Sequence, residues 1–255
     1  MRLTTLGTGT VALAPGRVCA GHLVEAGRVR LLLDCGSGVT HRLAEAGVDW
    51  MGITHVALTH FHPDHFGDLP TLFFAWRYGR LPGRSQPVEL IGPVGTLDLL
   101  ARLAHGFGEW LTAPGFPVTV REITAGDTLD LGDGVSLGSR AVPHTPESVA
   151  YSVEHGSRRV VYTGDTGGDD GLGEWAKGCD ILLCECSLPA AMAMPAHLTP
   201  EGCASLAASA LPRRLVLTHF YPPVLDVDIA GIVGTQYAGP VTLATDGWHI
   251  DLEDG

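Results

Sequence analysis

Three histidines and one aspartate fall within six consecutive positions: His60, His62, Asp64 and His65, in the stretch Leu58-Thr59-His60-Phe61-His62-Pro63-Asp64-His65-Phe66-Gly67. Neutral imidazole nitrogens and an ionised carboxylate are good ligands for zinc and related divalent ions. Buried without a partner or a metal, the same groups are costly, so packing alone would not select them. A tight turn can hold the alternate residues His60 and His62 toward one ion. Pro63 fixes the chain locally, and Asp64 and His65 can then turn toward a second. The competing reading is a His-rich surface turn.

The elements that must position this cluster are legible on both sides of it. Ile53 to Leu58 is rich in β-branched and aliphatic residues and reads as a buried strand. Gly67 to Trp76 has the apolar spacing of a helix, with Leu69 to Tyr78 as its body. The cluster therefore sits where a strand ends and a helix begins, which is where α/β sheets place their sites. Other chemistry-bearing residues also follow strand-like runs: Asp34 after Arg28–Leu33, His144 after Val135–Val142, Asp165 after Arg159–Tyr162, and His219 after Arg214–Thr218. Glu185 ends the apolar run Ile181-Leu182-Leu183-Cys184. His197 stands just before Thr199-Pro200, an N-cap followed by a first-turn proline. Asp34 by itself reads as a cap for the helix that begins near Ser37.

His60-x-His62-x-Asp64-His65 is the H-x-H-x-D-H signature, and with it the chain resembles the metallo-β-lactamase superfamily. Val142-Pro143-His144-Thr145, Thr163-Gly164-Asp165-Thr166 and Leu217-Thr218-His219-Phe220 resemble its later ligand motifs, in the family's order. Within it the chain is similar to the ribonuclease Z-like phosphodiesterases, on Leu6-Gly7-Thr8-Gly9, Asp34-Cys35-Gly36, Glu185, His197-Leu198-Thr199 and Ala244-Thr245-Asp246-Gly247. The resemblance implies a four-layer αβ/βα sandwich, an α/β fold in the broad α+β sense, as one domain over residues 1–255. It implies two divalent cations, zinc first, with Mn2+ or Fe2+ as alternatives. One would be held by His60, His62 and His144, the other by Asp64, His65 and His219, with Asp165 bridging. The catalytic set would be Asp64, His197 as proton donor, and Glu185 orienting it, and the resemblance gives Asp34 a second reading, support for the metal loop. Only 20 residues separate His144 from Asp165, where ribonuclease Z enzymes carry a long tRNA-clamping arm. The expected reaction is therefore hydrolysis of a small or cyclic phosphodiester. The alternatives are RNA 3′-end cleavage without the arm, and lactone, thioester or β-lactam hydrolysis, which have less need of a Glu185–His197 pair. Cyclic-phosphate phosphodiesterases also lack the arm but carry a cysteine-rich zinc site, whereas Cys19 stands alone here. A homodimer is implied by resemblance only.

The totals set bounds. The 255 residues are 45% hydrophobic and 17% charged, enough for a well-buried domain, with 34 glycines and 17 prolines for many short turns. A net charge of -12 and the lack of any basic block count against a large nucleic-acid footprint. The six cysteines, Cys19, Cys35, Cys179, Cys184, Cys186 and Cys203, have no C-x-x-C pairing and read as buried free thiols of a reducing compartment. No signal peptide is apparent, no apolar run of about 18 residues could span a bilayer, and a cytoplasmic location with no membrane partner is expected. Arg77, Arg80 and Arg84 read as solvated surface, Phe73, Phe74 and Trp76 as core, and Glu109 to Pro117 as a mobile loop near the pocket. His22, His41, His55, His105, His155 and His249 read as surface or packing histidines.

Overall fold

The apolar runs that look continuous in the sequence alternate between two cores. Leu31 and Leu33 face one cluster while Leu32, between them, faces another; Ile181 and Leu183 are likewise divided from Leu182 and Cys184. That is the period of two of a strand buried on both faces. The computed structural model describes residues 1–253; the last two residues of the expected domain lie outside the described residues.

Among the described residues fourteen strands form two sheets of seven. The first runs β14-β1-β2-β3-β4-β5-β6 and the second β13-β12-β11-β10-β9-β8-β7. In chain order the strands are β1 (Arg2–Gly7), β2 (Gly21–Ala26), β3 (Val29–Leu33), β4 (His55–Ala57), β5 (Val88–Pro93), β6 (Val118–Ile123) and β7 (Thr128–Gly132). They continue with β8 (Val135–Ala141), β9 (Val149–His155), β10 (Arg158–Tyr162), β11 (Ile181–Glu185), β12 (Arg214–Thr218), β13 (Val241–Leu243) and β14 (Trp248–Asp251). Residues of both sheets, among them Leu3, Val24, Tyr151 and Tyr162, form the core between them.

Helices cover the outer faces. On the first sheet α1 (Val39–Glu45), α2 (Pro63–Phe66), α3 (Leu69–Tyr78) and α4 (Thr96–Phe107) enclose a core centred on Phe73 and Trp76. On the second, α5 (Asp170–Trp175), α6 (Pro200–Ala210) and α7 (Ile229–Gly234) enclose another. The layers are helix, sheet, sheet, helix, the expected sandwich. Strands β3 to β6 are mutually parallel, as are β10 to β13. Their carboxyl ends emerge on one edge, which gathers Asp34, His60, Asp165, Glu185 and His219.

Several local expectations need correction. β4 is shorter than Ile53–Leu58, because Thr59 N turns aside to bond the Asp34 carboxylate at 2.8 Å. The segment after α4 is anchored, with Leu111 and Phe116 buried against Phe73 and Trp76, on the helical side of the sheet. Arg84 is buried rather than solvated. Its guanidinium donates to the carbonyls of Met51, Ile53, Gln86 and Pro87 and lies over the rings of Trp76 and Phe116. Phe74 is exposed, against Tyr78 and Trp110, while Phe73 and Trp76 are core.

Candidate metal centre

Asp34 ends β3 with a left-handed backbone, φ +58°. Its buried carboxylate accepts from Thr59 N at 2.8 Å, Thr59 Oγ1 at 2.9 Å, Tyr162 Oη at 2.9 Å and His65 Nδ1 at 2.8 Å. The capping reading of Asp34 fails, since α1 has Gly38 at its N-cap and no side-chain cap. Asp34 instead ties β4's exit to α2. That helix is a single turn with His62 as N-cap and Pro63 first, so Asp64 and His65 point back toward the sheet edge. Gly36 permits this approach: a Cβ there would lie 2.0 Å from the Asp64 carbonyl oxygen.

The seven expected ligands converge. His60, His62, His144 and Asp165 form one group, and Asp64, His65 and His219 another, with the ligand atoms of each within 4.8 Å of one another. Asp165 divides its two oxygens between them. Oδ2 lies 3.9 Å from His60 Nε2 and 3.7 Å from His144 Nε2. Oδ1 lies 3.2 Å from both His65 Nε2 and His219 Nε2. Asp165 follows Gly164, where φ is +56° and a Cβ would meet Thr59 at 2.9 Å. Asp64 Oδ2 accepts from Val11 N at 3.0 Å and stands 3.6 Å from His219 Nε2.

These contacts suit a cation better than they suit one another. His144 Nε2 and His62 Nδ1 meet at 3.1 Å, and His65 Nε2 and His219 Nε2 at 3.3 Å. His60 Nε2 and Asp165 Oδ1 are buried without a hydrogen-bond partner. Imidazole lone pairs and carboxylate oxygens turned toward shared points are the donor set of a divalent metal.

At the same edge His197 Nδ1 sits 3.2 Å from each oxygen of Glu185. Glu185 is fully buried and also accepts from the backbone N–H of Thr166 and Leu198. His197 lies just before α6, which Thr199 caps by accepting from Gly202 N at 3.3 Å. Its ring is 4.9 Å from that of His144 and 5.8 Å from that of His219.

A Beta-lactamase superfamily domain matches residues 29–220. The chain belongs to that superfamily. It is 32% identical over 280 residues to a protein named Ribonuclease Z from Mycolicibacterium paratuberculosis, covering 99% of each chain. Human tRNase Z, short form, superposes with a TM-score of 0.80 at 27% identity over the whole of both chains. The metallo-beta-lactamase fold protein YhfI from Bacillus subtilis shares the fold, with a TM-score of 0.83 at 23% identity over 98% of each. Superfamily and site together are those of a metal-dependent hydrolase.

The electrostatics of this superfamily site follow from its crowding. Burial lowers the proton affinity of His60, and burial with the neighbouring His144 does so for His62. Burial works against a charge on His65 too, but Asp165 and Asp34 outweigh it and hold that imidazole well above its ordinary range. Burial would raise the Asp165 carboxyl; His219 and His65 oppose it and hold it well below the carboxylate range. For His197, burial again works downward, and the hydrogen bond it donates to Glu185 reverses this into a net rise.

Three participants are invisible to motif reading. Thr59 Oγ1 meets His60 Nδ1 at 3.0 Å, and Ser187 Oγ meets His219 Nδ1 at 2.9 Å. Tyr221 sets its ring 6.2 Å from those of both His197 and His219. The only signal for Ser187 was its place two residues beyond Glu185. Among the set-aside histidines, His22 is fully buried with neither nitrogen partnered, and burial pushes it down to about 3. Its ring packs edge-on against Tyr162, 4.9 Å between centroids, as the packing reading expects. Cys184 and Cys186 share the outer core with Cys203 and join no ligand group among the described residues.

Proposed function

We propose that this chain is a dinuclear-metal phosphodiesterase of ribonuclease Z type, cleaving RNA at a 3′ region. The observation that carries phosphodiester chemistry is His197 held on Glu185 beside the two ligand groups. Two divalent cations, zinc first by the His-rich donor set, would supply a nucleophile from water and neutralise charge on the phosphoryl oxygens. His60, His62 and His144 would hold one, Asp64, His65 and His219 the other, and Asp165 would span both. His197 would give its proton to the departing alkoxide, a poor leaving group without one. Glu185 keeps the proton-bearing ring aimed. Lactone, thioester and β-lactam substrates have less need of such an acid.

RNA is favoured over a small diester by the relatives. A protein named Ribonuclease Z from Mycolicibacterium paratuberculosis aligns with 99% of this chain and is itself covered to 99%. The interval between His144 and Asp165 is filled here by the β9–β10 hairpin.

One observation supports the small or cyclic diester as a second reading. Fifteen arginines and one lysine are the only Lys and Arg. Among the described residues every one except Arg80 is hydrogen-bonded or ion-paired within the chain, and Arg80 lies over Trp50. Few cations are thus uncommitted for a phosphate backbone. A precursor tRNA with a 3′ trailer, a cyclic phosphodiester and an aryl phosphodiester, assayed with a lactone, a thioester and a β-lactam, discriminates. Trailer removal with the highest kcat/KM carries the first reading; cleavage of the small diesters alone moves the assignment to the second; preference for an acyl substrate sinks both. No helix among the described residues is long and apolar enough to cross a membrane. Six free buried thiols fit a reducing, cytoplasmic compartment. A homodimer belongs to the same proposal and is read by light scattering.

A further inference from the structure

The two carboxylates that flank the centre are used in the same way. Asp34 takes His65 Nδ1 directly at 2.8 Å, and reaches His60 through the Thr59 hydroxyl. Glu185 takes His197 Nδ1 directly at 3.2 Å, and reaches His219 through the Ser187 hydroxyl. We propose that Thr59 and Ser187 are positioning residues that fix the tautomers of His60 and His219, so that each presents a bare Nε2 to the metal centre.

A hydroxyl has one hydrogen to donate, and an ionised carboxylate can only accept. Thr59 Oγ1 lies 2.9 Å and 3.1 Å from the two oxygens of Asp34, so its hydrogen goes there. His60 Nδ1, 3.0 Å from the same Oγ1, must then be the donor. The proton on Nδ1 leaves Nε2 a lone pair, and that nitrogen is the buried one without a partner. At the other end Ser187 Oγ donates to Glu185 Oε2. The His219 carbonyl at 3.2 Å is a neutral acceptor and the weaker one, so the carboxylate takes the hydrogen. His219 Nδ1, at 2.9 Å, must donate to Ser187, which leaves Nε2 free toward Asp165 and Asp64. Which nitrogen of a ligand histidine binds is set by the hydrogen bond the other makes.

Both hydroxyls are fully or nearly fully buried, so no water substitutes for them. Ser187 has a further task. His219 holds a left-handed backbone at φ +57°, and Ser187 O accepts from Tyr221 N at 3.1 Å, pinning the turn that follows. Ser187 N also donates to the carbonyl of Leu198 at 3.0 Å, so one residue joins the segment that carries His197 to the loop that carries His219.

The value of these tautomers rests on the metal-centre reading, but their presence does not, and two measurements separate the failures. Long-range 1H–15N correlation spectra of histidine-labelled full-length protein, as isolated and after metal removal, read each tautomer directly. His60 and His219 are expected as Nδ1–H in the wild type, and as tautomer mixtures in Thr59→Val and Ser187→Ala respectively. Thr59→Ser and Ser187→Thr are expected to keep the wild-type pattern. Titration with zinc alone should show roughly 10–100-fold weaker binding of one equivalent in each hydroxyl-deleted variant, restored in the conservative ones. An Nε2–H tautomer at either histidine in the wild type overturns the inference without any variant needing to fold. So does wild-type zinc binding by both deleted variants. Wild-type protein with the expected tautomers that takes up fewer than two zinc ions sinks the dinuclear reading and leaves the tautomer assignment standing.

Discussion

His65 Nε2 and His219 Nε2 point at each other across 3.3 Å, with Asp165 Oδ1 3.2 Å from each. Each ring spends its Nδ1 on an outer partner, Asp34 for His65 and Ser187 for His219. Two inward nitrogens so close cannot both carry hydrogen, and a positive charge between them satisfies both and the carboxylate.

Metal should stabilise the fold strongly, because the unfolded chain has no such convergence of donors. With free zinc about a hundredfold above its Kd, linkage gives about 2.7 kcal/mol, or roughly 5–10 °C in Tm for a chain of this size. Thermal melts with zinc and with chelator check this. Coincident melts would mean that the seven side chains hold no cation.

Metal affinity should rise with pH. Despite its burial, His65 holds a proton well above the ordinary histidine range, owing to Asp165 and Asp34. A cation must displace that proton, so binding is weakest at low pH and strengthens by about tenfold per pH unit until His65 has lost its proton. Competition with a coloured chelator across a pH series measures the slope; a flat profile contradicts the displacement.

His197→Ala should distinguish leaving groups. General acid catalysis contributes typically about 10²–10⁴-fold, so an alkyl ester should lose that much kcat while a nitrophenyl ester, which departs without a proton, loses less than about tenfold. For the alkyl ester the wild-type rate should fall as pH rises through the His197 pKa, since the protonated ring is the active one. The Glu185 hydrogen bond lifts that pKa against the opposing burial. Glu185→Gln should therefore move the descending limb to lower pH. Equal losses on both esters would remove the donor role.

Arg84→Ala should destabilise without touching the chemistry. Four carbonyls, of Met51, Ile53, Gln86 and Pro87, lose their donor at once. Unsatisfied buried groups cost about 1–3 kcal/mol each, and with partial relaxation a loss of roughly 3–5 kcal/mol is expected by denaturant titration. Unchanged kcat/KM below the melting range completes the prediction.

The sequence by itself determined the donors and the order in which they come. Imidazole and carboxylate at H-x-H-x-D-H spacing are rare as packing residues, and each later donor stands after a run whose buried alternation marks a strand. Edge placement then follows from parallel strands ending together. The same reading could not place Arg84, because a guanidinium that satisfies loop carbonyls looks like any surface arginine until Trp76 and Phe116 close over it. It could not choose between two roles for Asp34, which depend on whether Thr59 and His65 or Ser37 come within reach. Only the tertiary structure decided that Asp165 faces one group with each oxygen, and that Thr59 and Ser187 stand between carboxylate and imidazole. A hydroxyl's hydrogen goes to whichever acceptor the fold brings near, and that proximity spans residues far apart in the chain.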